Sequence, residues 1–151
     1  MGNLVKKLFT NDDLLAIAAA ISEAEKATSG EIRVSVRQKR KWGERKLSLD
    51  ALARKEFLHL GMAKTDQRTG ILIFLLLSER KFYIFADEGI HSKVETDTWV
   101  KIAQNVSEHF TQKNFKHGVI RGVKEVGAVL AKHVPSTKDD KNELSNEVHV
   151  S

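Results

Sequence analysis

From Glu31 to Arg37 polar and apolar positions alternate without a break, with Ile32, Val34 and Val36 on one side and Glu31, Arg33, Ser35 and Arg37 on the other. A period of two marks a strand, and this one is expected to keep one face wet, near the edge of a sheet. Before it the period is helical. Leu14, Ile17, Ala18, Ile21 and Ala24 follow Thr10-Asn11-Asp12-Asp13, in which a cap hydroxyl and a carboxylate three residues on can bond each other's backbone N–H. Ser29-Gly30 supplies a stop, so the spacing predicts a helix over about 11–28. Leu49, Leu52, Ala53, Phe57 and Leu60 form a second helical stripe, closed by Gly61.

The run Gly70-Ile-Leu-Ile-Phe-Leu-Leu-Leu77 is apolar on both faces, as a central strand covered on both sides would be. Ser78-Glu79-Arg80-Lys81 is short enough for a hairpin, and Phe82-Tyr-Ile-Phe-Ala86 returns from it. Two more helices are expected. Thr96 can cap the first, whose stripe is Trp99, Ile102, Ala103, Val106 and Phe110; Asn114-Phe115 interrupts it. The second carries Val119, Val123, Val126 and Leu130 and ends before Pro135, with Gly118 and Gly122 spaced for close helix packing. Strand, helix, strand implies a right-handed parallel crossover, and the hairpin adds an antiparallel strand. The class is therefore α/β: a three-layer α/β/α sandwich around a small mixed sheet. The domain is expected over 10–135, followed by a polar, mobile tail over 136–151.

Composition narrows the chemistry. With 151 residues, 41% of them hydrophobic and 30% charged, the chain has the make-up of one globular domain. It has no cysteine, which removes disulfides, thiolate metal sites and cysteine nucleophiles together. The longest apolar run spans seven residues, Ile71 to Leu77, against the roughly 20 that a membrane-crossing helix needs. No secretory apolar segment follows Lys6 and Lys7, so the expected setting is soluble and cytoplasmic. The net charge is +5, a surplus that attracts anions without naming a partner.

The stretch from Arg68 to His91 resembles the TPM-domain family, which includes thylakoid-lumen phosphatase-like proteins. Its buried Gly70-Ile-Leu-Ile73 strand, Glu79-Arg-Lys81 hairpin and strand running into Gly89-Ile90 follow the family's order. Thr28-Ser-Gly-Glu31 resembles the family's lead-in to the first strand, and Phe110 through Phe115 to Gly118-Val119 its helix junction, so the resemblance covers about residues 10–135. It implies an α/β/α sandwich, divalent-cation binding in some members and weak acid phosphatase activity in some. The chain is similar to the short, unanchored bacterial form. It differs from the exported pattern at the acidic turn, where Asp87 replaces a glycine and His91 an acid.

Three kinds of chemistry are open to these residues. The turn Asp87-Glu88-Gly89-Ile90-His91 can offer hard oxygen ligands to Ca²⁺ or Mg²⁺, with Gly89 at positive φ and with Glu31 or Asp66 adding a further carboxylate. A phosphatase would need more: Asp87 as nucleophile or ligand, His91 as general acid, and Arg80 or Lys93 on the phosphate. The segment 37–46 carries Arg37, Lys39, Arg40, Lys41, Arg45 and Lys46 around Trp42, which suits a phosphorylated ligand, an acidic protein partner or nucleic acid. Nucleic acid is not expected, since no RNA- or DNA-binding signature accompanies the patch; the plainer expectation is a solvated loop with Trp42 tucked against the sheet or the second helix. His59, His109, His117, His133 and His149 show no zinc-ligand spacing. The leading expectation is a non-catalytic interaction module with weak cation binding at residues 87–91. A metal-dependent phosphatase and a polyanion-binding loop are the alternatives, and the oligomeric state is left open.

Overall fold

The protein is described here by a computed structural model covering residues 3–65, 67–111, 113–136 and 146–151. In chain order its elements are α1 (Asn3–Leu8), α2 (Asn11–Glu25), β1 (Glu31–Arg37), α3 (Leu49–His59), β2 (Gly70–Leu76), β3 (Lys81–Ala86), α4 (Glu88–His91), α5 (Thr96–Thr111), α6 (Phe115–His133) and β4 (His149–Val150). The capping box expected at Thr10 forms: its Oγ1 accepts from the Asp13 N–H at 3.0 Å, and Asp13 Oδ2 accepts from the Thr10 N–H at 2.9 Å. Gly61 closes α3 in the left-handed region at φ 72°.

The described strands lie in the order β3-β2-β1-β4. β1 and β2 are parallel, with Glu31 opposite Gly70 and Arg37 opposite Leu76. β2 and β3 are antiparallel, with Ile71 opposite Ala86 and Leu76 opposite Lys81. Alternation along the strands divides the core in two. Ile32, Val34, Val36, Ile71, Ile73, Leu75, Phe82 and Ile84 pack with α1, α2, α5 and α6. Leu72, Phe74 and Leu76, with Tyr83 and Phe85, pack under α3 alone. The mixed sheet between two helical layers is the architecture the periodicities predict, with the layers unequal.

Two expectations fail. β1 is no edge strand with a wet face: it lies between β2 and β4, and Glu31, Ser35 and Arg37 are buried. Its polar side chains are compensated internally, since Arg37 pairs with Glu44 at 2.8 Å and Glu56 at 3.6 Å, and Ser35 bonds Glu56. The final residues also depart from a mobile tail. Residues 149–150 add a strand parallel to β1, with Ser35 opposite His149 and Val36 opposite Val150. The Ser151 N–H donates to the Val36 carbonyl at 2.9 Å, and the Gln38 N–H to the Ser151 carbonyl at 2.8 Å. The rest of that stretch, 137–145, lies outside the described residues.

Candidate functional site

Among the described residues the order β3-β2-β1-β4 leaves one side of β3 without a neighbouring strand. Along that free edge runs a groove of about 890 Å³, walled on one side by α3 and on the other by α5. Its floor is Phe82 to Ala86; Phe57 and Leu58 come from α3, and Trp99, Val100 and Ala103 from α5. Leu58 is 55% exposed and Val100 47%, whereas the neighbours that share their helices' apolar stripes, Phe57 and Trp99, are buried. Trp99 lines the groove, and its buried Nε1 has no hydrogen-bond partner. An indole N–H out of contact with water and without an acceptor costs about 1–3 kcal/mol.

The acidic turn closes one end of this groove. Asp87 is buried and caps α4, its Oδ1 accepting from the Glu88 N–H at 2.8 Å. The same carboxylate is gripped by the Arg68 guanidinium, Nε to Oδ2 at 2.7 Å and Nη2 to Oδ1 at 2.8 Å. The pairing with Asp87 raises Arg68 further above its ordinary value. Glu88 is exposed and lies 3.7 Å from the same guanidinium. Gly89 is not at positive φ as expected, since Gly61 alone has that among the described glycines. Its reason is close approach: a Cβ there would lie 2.2 Å from the Gln67 carbonyl oxygen. The turn is thus a helix cap locked to the preceding loop, and sequence could not show that Arg68 occupies both carboxylate oxygens.

Among the described residues expected to share a cation, Glu31 stands apart from Asp87 and Glu88. Glu31 and Asp87 flank Gly70 on neighbouring strands, two strand spacings or about 10 Å apart. Glu31 lies instead against Glu25, whose carboxyl is pushed up to about 8 by burial and by Glu31, against the opposing hydrogen bond from the Ile32 N–H. Asp66 lies outside the described residues. Among the described residues no three His, Asp or Glu side chains stand together as a metal site would need. At this turn Asp87 Oδ1 accepts two hydrogen bonds and Oδ2 one, so the carboxylate serves Arg68 and the α4 cap while Oδ2 keeps a lone pair. His91 is exposed in the groove wall; Arg80, left-handed at φ 51°, sits at the opposite end of β3, and Lys93 is exposed beyond α4.

The basic segment divides in two. Arg37 and Arg40 are structural. Arg40 pairs with Glu79 at 2.5 Å and donates to the carbonyls of Glu44 and Leu47 at 2.9 and 2.6 Å. Burial opposes the charge of Glu44, but the Lys41 N–H, Lys55 and Arg37 outweigh it and hold the carboxyl at about 2. Lys39, Lys41, Arg45 and Lys46 are exposed, and Trp42 is 82% exposed rather than tucked against the sheet or α3. Missed in the sequence were Leu58, Val100, Tyr83 and Asp50. Tyr83 donates to Asp50, and burial together with that carboxylate pushes the phenol up to about 12, so it is a neutral donor in the groove wall. The available signal was Leu58 and Val100 themselves, apolar residues off the buried stripes.

A family model described as the TPM domain matches residues 5–129. The BA42 protein of the psychrophilic bacterium Bizionia argentinensis, solved by NMR, is 33% identical, with a TM-score of 0.86 over 97% of this chain and 98% of its own. The N-terminal domain of a protein from P. gingivalis shares the fold at 18% identity, with a TM-score of 0.69 over 86% of this chain and 83% of its own. So does the N-terminal domain of cg2496 from Corynebacterium glutamicum, at 12% identity and a TM-score of 0.62 over 87% and 80%. No curated protein sequence matches. The chain belongs to the TPM-domain family.

Proposed function

We propose that this TPM domain is a non-catalytic interaction module whose binding surface is the groove along β3. The observation that carries the reading is the groove itself: an open strand edge between two helices that expose Leu58 and Val100 to solvent. Lone exposed apolar residues are ordinary, but two that converge on one concave apolar surface suit a partner. The condition of Asp87 supports the same reading. The Arg68 guanidinium and the Glu88 N–H engage three of the lone pairs of its carboxylate, a structural commitment that a nucleophile or metal ligand would have to share.

Two measurements test this. The purified chain, given p-nitrophenyl phosphate with and without Mg²⁺ or Ca²⁺, is expected to show no turnover that depends on Asp87; hydrolysis lost in Asp87→Asn would overturn the non-catalytic reading. Panning a random 12-residue phage-displayed peptide library against the chain is expected to enrich peptides whose binding falls at least tenfold in Leu58→Glu and Val100→Glu. A library that yields no binder, or binders indifferent to both changes, would remove the groove as the binding surface.

A further inference from the structure

We infer that the groove takes its partner as an added β-strand: an extended segment, apolar at alternate positions and carrying Lys or Arg, pairs with the free edge of β3. This rests on the groove being the binding surface. The backbone supplies the first argument. The Asp87 N–H donates to the Gly70 carbonyl at 2.9 Å, continuing the antiparallel register of β2 and β3. Hydrogen-bonded and non-bonded positions alternate in such a pair, so Lys81, Tyr83 and Phe85 face β2 with their peptide groups. Phe82, Ile84 and Ala86 therefore direct N–H and C=O to the free edge. At about 3.4 Å per residue, the six residues of β3 offer roughly 20 Å of such an edge.

The walls supply the second. An exposed strand edge is ordinarily protected by charge, proline or a covering element. Here the flanking side chains include exposed Leu58 and Val100 beside the buried Phe57 and Trp99, which suit the alternate side chains of an incoming strand. Charge gives the third argument. Apart from Glu108, which is engaged elsewhere, Asp50, Asp87 and Glu88 outnumber Arg54 and Arg68 in the lining, leaving it one charge negative on a chain of net +5. A basic segment is favoured there and an acidic one is not.

A peptide recovered from the library, titrated into the ¹⁵N-labelled full chain, provides the test. Amide hydrogen exchange at Phe82, Ile84 and Ala86 is expected to slow at least tenfold. The Trp99 indole resonance is expected to move while that of exposed Trp42 stays. N-methylation of alternate peptide nitrogens, or replacement of the peptide's Lys and Arg by Glu, is expected to weaken binding at least tenfold. Ala86→Pro removes one outward N–H and no bond to β2, so it is expected to weaken the same peptide; the N-methylated peptide tests the same bond on the unaltered protein. A peptide that binds as a helix, or whose N-methylated form binds equally well, would overturn strand addition while leaving the groove a binding surface. A dimer seen by sedimentation that the peptide dissociates would overturn it in favour of a second copy of the chain. Failure to recover any binder would bring down both readings together.

Discussion

Arg37 shows how a side chain that reads as surface in the sequence becomes structural. Counted with its neighbours it is one of six cations in a ten-residue segment. In the fold it is almost fully buried and neutralises Glu44 and Glu56 beneath α3. Removing one partner of a buried pair leaves the other charge stranded, so Arg37→Ala is expected to lower stability by about 3–5 kcal/mol. Urea unfolding would read this as a shift in midpoint at nearly constant slope. Lys39→Ala, by contrast, is expected to stay within about 0.5 kcal/mol because that side chain is exposed. Glu25 gives a second expectation at this scale. Its folded value of about 8 lies above the ordinary 4.5, so the folded state holds the proton more tightly. The contribution is fully present below about pH 4.5 and is lost as pH rises through 8. The urea midpoint of the native chain should therefore fall across that window more steeply than that of Glu25→Gln. Equal slopes would show that Glu25 does not titrate as its burial implies.

Among the elements, those read from local pattern alone were the most legible. The capping box at Thr10, the alternation of Glu31–Arg37 and the apolar run from Gly70 each formed the element their spacing predicts. α1 was not read, although Leu4, Val5, Leu8 and Phe9 keep helical spacing and pack into the larger core, because it spans a single short stretch of six residues. β4 was invisible for the same reason: it is two residues long and exists only because β1 has an open side to pair with. The β1–β4 ladder bonds, two further backbone hydrogen bonds through Ser151, and the packing of Val148 and Val150 on the core depend on it. Deleting residues 146–151 is expected to cost at least about 2 kcal/mol, at about 1 kcal/mol for each hydrogen bond through Ser151 alone, or a drop of at least about 4 °C in melting temperature. Calorimetry would measure the drop, and faster exchange of the Gln38 amide would localise it. An unchanged melting temperature would mean that β4 contributes nothing to the fold's stability.

The groove along β3 is a property of the whole molecule. No element contains it: β3 is the floor, α3 and α5 are the walls, and Arg68 with Asp87 closes one end. Leu58→Glu and Val100→Glu separate binding from folding. Both side chains are about half exposed, so each change is expected to alter stability by no more than about 0.5 kcal/mol while removing partner binding. Circular dichroism melts beside binding titrations would show the two effects apart; a large loss of stability would instead make these side chains part of the core.

The sequence by itself determined the period of each long element, the parallel crossover, the hairpin and the family, because these depend on neighbours along the chain. The acidic turn was legible as a landmark for the same reason. Tertiary structure alone decided what the landmark does. Asp87 caps a helix and grips Arg68, Glu31 is turned to Glu25 rather than to Asp87, and the basic segment gives up Arg37 and Arg40 to internal ion pairs. Charges and carboxylates can be counted in a sequence, but whether each remains available depends on partners brought close by folding. The free edge of β3 is likewise a matter of strand order, which local pattern does not encode.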